Sequence, residues 1–177
     1  LFADRHDGRQ MMMRLKDAVR HVVVLGGGSA GWLTAALLAR EHHAGEPGGL
    51  AVTLIESAST PPIGVGEGTW PSMRDTLRRI GLPETTLFRE CDASFKQGSH
   101  FRGWMHGRSA AQGDQYRHPF TLPLGFGEVD LVAGWLQRHG DRPFAEVASA
   151  QPHVCMAGHA PKQASTPEYA AVANYGY

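Results

Sequence analysis

The stretch HVVVLGGGSAGWLTAALLAREHH, residues 21–43, constrains the fold more than any other part of the chain. Apart from His21, a run of apolar β-formers meets three glycines, and a helix pattern rich in alanine and leucine follows at once. That order predicts strand, tight turn and helix. GEPGG at 45–49 breaks the helix, and LAVTLIES at 50–57 reads as a second buried strand, which completes a βαβ unit. Short continuous apolar runs of this kind predict a parallel sheet covered on both faces.

Gly26, Gly28 and Gly31 form G-x-G-x-x-G between the predicted strand and helix, the one context in which that pattern carries chemistry. The first glycine permits the turn, the second lets backbone approach a pyrophosphate, and the third lets helix pack on strand. Backbone N–H groups at Ser29 and Ala30 and the helix dipole then face the phosphates. Glu56, at the end of the second strand, stands 25 residues after Gly31 and is placed to accept hydrogen bonds from a ribose. The motif by itself does not choose between NAD and FAD.

Downstream, PSMRDTLRRIGL reads as a helix with Pro71 in its first turn and Gly81 as its stop. Thr69 stands ready as its N-cap. A short helix from Pro83 carries Leu87, Phe88 and Cys91 on one side, and a strand-like stretch, FKQGSHFRGW (95–104), follows. Alternation there puts Phe95, Gln97, Ser99 and Phe101 on one face, expected to be the core side, and Lys96 on the other, toward solvent or a polar cavity. A weak helix is expected around 129–139, and patterning is poor after 140.

Composition excludes several classes of function. The formal net charge is zero, so no global field draws the chain to nucleic acid or an anionic membrane. No window approaches the roughly 18 apolar residues of a membrane helix, and the N-terminus lacks the apolar core of a signal peptide. A soluble, cytoplasmic protein is expected. Cys91 and Cys155 form no C-x-x-C pair and read as reduced, buried thiols. His153, Cys155 and His159 match no common zinc spacing, so no metal site is expected. Residues 1–20 read as a leader outside the fold, 21–94 as a nucleotide-binding βαβ unit with the helices that follow it, and 95–177 as the start of a mixed substrate region.

Four segments together resemble the flavin-dependent tryptophan halogenases: GGGSAGW (26–32), IGVGEGTWP (63–71), CDASFKQGSHFRGW (91–104) and RHPF (117–120). The resemblance implies a Rossmann-like FAD-binding α/β fold. It also implies reduced FAD supplied by a separate flavin reductase, O₂, and oxidation of chloride or bromide to a hypohalous species that halogenates an indole or related aromatic ring. Val65, Gly66, Glu67, Gly68 and Thr69 match the family's flavin-contacting strap, and Lys96 matches its reactive lysine. His118 and Phe120, in a Pro-bounded loop, match residues that flank the substrate. The family's W-x-W-x-I-P signature and a glutamate opposite the lysine are not recognisable here, so the chain is expected to correspond to an N-terminal third, and EYAAVANYGY (168–177) to the stretch that re-enters the flavin domain. Such a piece would expose edges and apolar faces, and is expected to be marginally stable and inactive alone.

Of 17 basic residues only Lys16, Lys96 and Lys162 are lysines. An amine can lose its proton on desolvation or donate to hypohalous acid, which a guanidinium does less well. Two alternatives stand beside the halogenase: a flavin monooxygenase of related fold, and a non-catalytic FAD-binding remnant.

Overall fold

The structure is a computed structural model that describes residues 18–61, 64–107, 113–170 and 173–177. Most of the expected leader, together with Ile63 of IGVGEGTW and Ala171 and Val172 of the C-terminal stretch, lies outside the described residues. The chain forms two compact units. One comprises the described residues up to Gly64 with Arg79–Gly81, and the other Val65–Arg78 with Leu82–Tyr177. The compact units part at Gly64/Val65, whereas the sequence reading divides the chain after residue 94. The difference arises because Thr69 is hydrogen-bonded to the last residues of the chain.

The first unit is the βαβ arrangement. Strand β1 (His21–Leu25) pairs in parallel with β2 (Ala51–Ile55), His21 opposite Ala51 and Leu25 opposite Ile55, and helix α1 (Ser29–Glu41) connects them. Alternation sorts the strands: Val22, Val24, Val52 and Leu54 are half-buried, while Val23, Leu25 and Ile55 are exposed. Coverage on both faces, predicted from the apolar runs, is therefore not found among the described residues. Leu25 is 84% exposed, and the bare apolar face is the one expected of a βαβ unit without further layers.

The second unit holds α2 (Ser72–Ile80, its last residues counted with the first unit), α3 (Glu84–Glu90), an antiparallel pair β3 (Gly98–Arg102) and β4 (Gln115–Pro119), and three helices: α4 (Leu131–His139), α5 (Phe144–Ala148) and α6 (Gln151–Met156). Asp130 caps α4 by accepting from the Ala133 amide at 2.9 Å. α5 and α6 span five and six residues, too short to show a helical period, which is why the sequence after 140 looked unpatterned. Arg117 of β4 pairs with Glu146 of α5 at 2.5 Å. The stretch RHPF, read as a loop, is strand as far as Pro119, whose missing N–H is tolerated at the strand end.

The core of this unit is aromatic. Phe88 packs tilted against Phe95 (ring centroids 4.7 Å), Phe95 meets Tyr175 edge-on at 5.0 Å, and Tyr175 meets Tyr177 at 5.9 Å. The Phe95/Gln97 side does face inward, with Gln97 buried. Arg74 of α2 is also buried; it lies 4.4 Å over the Tyr175 ring and donates to Ala173 O and Asn174 Oδ1. Both cysteines are exposed rather than buried: Cys91 is the residue that ends α3, and α6 buries Gln151 and Pro152 at the end opposite Cys155.

Candidate functional site

In the first unit the glycine-rich turn has the shape its spacing predicts. Gly26 adopts φ +117°, which a side chain would strain, and a Cβ on Gly31 would fall 1.9 Å from the Gly26 carbonyl oxygen. Helix and turn touch only because Gly31 is glycine. A Cβ on Gly28, by contrast, would meet nothing within 4 Å. Gly28 is the N-cap of α1 and gives its amides no side-chain cap, and the first turn carries no acid. The N–H groups of Ser29, Ala30 and their neighbours are thus left for an outside acceptor. These residues fit a dinucleotide phosphate, because the backbone there is open and its donors are uncommitted.

Glu56 follows β2 and is exposed, and its carboxylate lies over the turn: a Cβ on Gly27 would clash with Glu56 Oε2 at 1.8 Å. Gly27, which the G-x-G-x-x-G pattern leaves free, is therefore constrained as tightly as Gly31. The signal was present as a third consecutive glycine.

In the second unit the strap Val65–Thr69 runs alongside Lys96. Val65, Gly66, Glu67 and Gly68 are exposed. A Cβ on Gly68 would lie 2.9 Å from Lys96 Nζ, so the amine rests against the strap backbone. Two rings complete its surroundings, with Nζ 5.5 Å from the centroid of Trp70 and 5.5 Å from that of Phe120. Those rings are 5.4 Å apart. Lys96 is half-buried, with the exposed ring of Trp70 and the buried ring of Phe120 beside its amine. Trp70 is the tryptophan of IGVGEGTWP, and its ring borders the amine.

Phe120 is buried and is held by donation of its amide to Gln97 O. His118 is exposed, pairs with Ser99 across β3–β4, and borders a cleft of about 210 Å³ with Pro119, Gln151, Cys155 and Met156. The structure thus brings Phe120 to Lys96 and sets His118 along a neighbouring cleft. Among the described residues no group of three potential metal ligands comes together, His153, Cys155 and His159 included.

The lysine segment is anchored by residues the sequence reading did not single out. Lys96 and Gly176 exchange both backbone hydrogen bonds, N to O at 2.9 Å and 2.8 Å. Tyr177 then bridges to the strap: its carbonyl accepts from Thr69 N at 2.7 Å, and its amide donates to Thr69 Oγ1 at 2.8 Å. The Thr69 hydroxyl therefore serves Tyr177, and the expected N-cap role is not seen.

Beneath this bridge lies Glu84, 2% exposed. Its Oε1 accepts from the hydroxyls of Tyr175 and Tyr177, each at 2.7 Å, and its Oε2 accepts from Lys162 Nζ at 2.5 Å and from the Tyr169 amide at 3.3 Å. Burial alone would raise this carboxyl, but the donors Lys162, Tyr177 and Tyr175 outweigh burial and hold it below the ordinary carboxylate range. Burial, with Glu84 beside it, pushes the Tyr169 phenol up to about 12. Glu168 closes the start of α3 by accepting from the amides of Glu84 and Thr85. A glutamate at a helix start, followed far along the chain by alternating Tyr-Gly-Tyr, was the only sequence sign of this cluster.

Residues 21–177 match the family model described as tryptophan halogenase. The chain is 32% identical over 165 residues to the tryptophan 6-halogenase ThaL of Streptomyces albogriseolus, covering 84% of this chain and 30% of that protein. With the tryptophan 7-halogenase RebH of Lentzea aerocolonigenes it shares 28% identity, covering 80% of this chain and 28% of that one. Among solved structures it resembles a tryptophan halogenase from Shewanella frigidimarina, with 44% identity, TM-score 0.77, and coverage of 91% of this chain and 32% of that chain. The chain spans about a third of the length of these relatives. No helix among the described residues is long and apolar enough to cross a membrane.

Proposed function

The chain belongs to the tryptophan halogenase family, and we propose that it carries the FAD-binding turn, the strap and the reactive lysine of an enzyme that halogenates tryptophan or a related aromatic ring. The observation that supports this most is the seat of Lys96, an amine laid against the glycine of the strap and walled by Trp70 and Phe120. Reduced FAD, supplied by a separate reductase, provides the chemistry that uses O₂ to oxidise chloride or bromide to a hypohalous species.

The chain's own residues divide the remaining work. Gly26, Gly28, Ser29, Ala30 and Gly31 hold the pyrophosphate on backbone donors, and Glu56 takes the ribose. Val65, Gly66, Glu67, Gly68 and Thr69 lie along the flavin. Lys96 receives the hypohalous species, through its free amine or as an ammonium donor, with the rings of Trp70 and Phe120 beside it. His118 and Phe120 flank the aromatic substrate. The isolated 177-residue chain is inactive on this reading, since the apolar face at Val23, Leu25 and Ile55 is bare.

The test has two parts. The chain should bind FAD saturably; no saturable binding would count against the FAD-binding turn proposed here. Residues 21–177 are then exchanged for the matching segment of the Streptomyces albogriseolus enzyme, and the hybrid is supplied with FAD, a reductase, halide and tryptophan. Halogenated product is expected, and Lys96→Ala should abolish it while flavin oxidation continues. Retained activity in Lys96→Ala with oxygenated product would favour the monooxygenase. Robust halogenation by the isolated chain would overturn the claim that it is inactive.

A further inference from the structure

Three segments distant in sequence meet along one line: the strap at Thr69, the chain end at Gly176–Tyr177, and the lysine segment at Lys96. Gly176–Tyr177 lies between the other two and is bonded to both by backbone groups. What fixes this central piece is its side-chain alternation. In extended backbone, Tyr175 and Tyr177 point to one side and Gly176 to the other. Both tyrosine hydroxyls reach the same oxygen of Glu84. On the opposite side a Cβ on Gly176 would stand 2.4 Å from the Thr69 carbonyl oxygen, so the strap packs directly on glycine backbone.

Glu84 is well suited to hold such a piece. Both of its oxygens are occupied, and its lysine partner is itself nearly buried, with a side chain 10% exposed. Charge-assisted bonds of this kind are short and directional, and a carboxylate held by four donors has little freedom to move. The rings of Tyr175 and Tyr177 are also locked against Phe95 and Phe88.

We propose that Glu84 is a positioning residue, which acts through the hydroxyls of Tyr175 and Tyr177 to set the Lys96 backbone and the Thr69 strap in one fixed register. This rests on the reading of Lys96 and the strap given above for its consequence in catalysis, but not for its geometry. The register decides where the lysine amine meets Gly68, and hence where a hypohalous species is held relative to the flavin strap.

Tyr177→Phe removes one hydroxyl and keeps the ring and every backbone bond. Amide hydrogen exchange is measured on the 177-residue chain. The four bridging amides, Thr69, Lys96, Gly176 and Tyr177, should exchange about tenfold faster or more, the worth of one hydroxyl bond to a carboxylate. The amides of the β3–β4 ladder should keep their wild-type rates. Unchanged exchange at the four amides would overturn the proposal, and so would an equal acceleration across β3–β4, which would mean the hydroxyl only supports the scaffold. If Tyr177→Phe does not fold, Tyr175→Phe is measured against the same two outcomes. In the hybrid enzyme, Tyr177→Phe should lower the halogenated product formed per flavin oxidised, with the rate of flavin oxidation unchanged. A wild-type hybrid that makes no product would count against the function proposed above, while the exchange pattern would still decide the positioning role of Glu84.

Discussion

Gly68→Ala tests whether the contact between strap and lysine matters to catalysis rather than to folding. The added Cβ would stand 2.9 Å from Lys96 Nζ, 3.3 Å from Cδ and 3.4 Å from Cε. Non-bonded heavy atoms settle at roughly 3.5–4.0 Å, so the amine must retreat by about 0.6 Å or more. The atoms that move are the far end of a flexible side chain, and an off-rotamer adjustment costs about 0.5–1.5 kcal/mol. Gly68 has an ordinary backbone conformation, so alanine also restricts the unfolded chain and returns about 0.4–1 kcal/mol. Net stability should change by less than about 1 kcal/mol. The catalytic effect is larger, because a misplacement of about 1 Å at a reacting group can cost about a hundredfold. A retreat of about 0.6 Å predicts roughly a tenfold loss of halogenation by the hybrid, with flavin oxidation intact. Gly176→Ala is the control: its Cβ would meet the Thr69 backbone oxygen at 2.4 Å, which cannot step aside, and it should cost about 1–3 kcal/mol or more. Urea midpoints and product yield per turnover separate the two. Wild-type halogenation in Gly68→Ala, or equal destabilisation by both substitutions, would refute this account of the contact.

Three further outcomes follow from the same geometry. Gly31→Ala forces a Cβ to 1.9 Å from the Gly26 carbonyl, so the turn must open, and FAD binding to the chain should be lost with about 2 kcal/mol or more of stability in the βαβ unit, read by equilibrium titration and urea unfolding. Glu84→Met leaves Lys162 buried without its carboxylate and should cost about 3–5 kcal/mol, whereas the double variant Glu84→Met/Lys162→Met should cost much less; additive losses would mean that the pair is not coupled. Because the Glu84 carboxyl is held below its ordinary value of 4.5, its contribution to stability is complete above that pH and is lost as pH falls through the lowered value. The stability difference between wild type and Glu84→Gln should therefore be constant at neutral pH and shrink only below about pH 4.5, in urea titrations taken across that range.

Much of the candidate site was legible because its chemistry depends on residue type and local spacing. Three glycines at fixed offsets between strand and helix can make only a few turns, and a Cβ at Gly31 or a side chain at Gly26 is excluded by the backbone itself. Lys96, one of three lysines in an arginine-rich chain, stood out by residue type as well. Gly27 was missed because what fills its space is the side chain of Glu56, which arrives from the next strand.

Local pattern carried the strands, the helix α1 and the inward face of Phe95 and Gln97, since apolar period and glycine breaks act within a few residues. It failed where partners are distant. His118 and Pro119 looked like loop until β3 supplied a ladder for them, and the two short helices after 140 gain their order from packing on β4 and on each other. The environment of Lys96 was decided by tertiary structure alone: Trp70 and Phe120 come from segments 26 and 24 residues away, and Gly176 from 80. Sequence by itself determined that a lysine and a glycine-rich strand-to-helix turn would be present. Only the folded chain could place a buried glutamate under two tyrosines and that amine against the strap, because such contacts close long loops and leave no periodic trace in the residues between them.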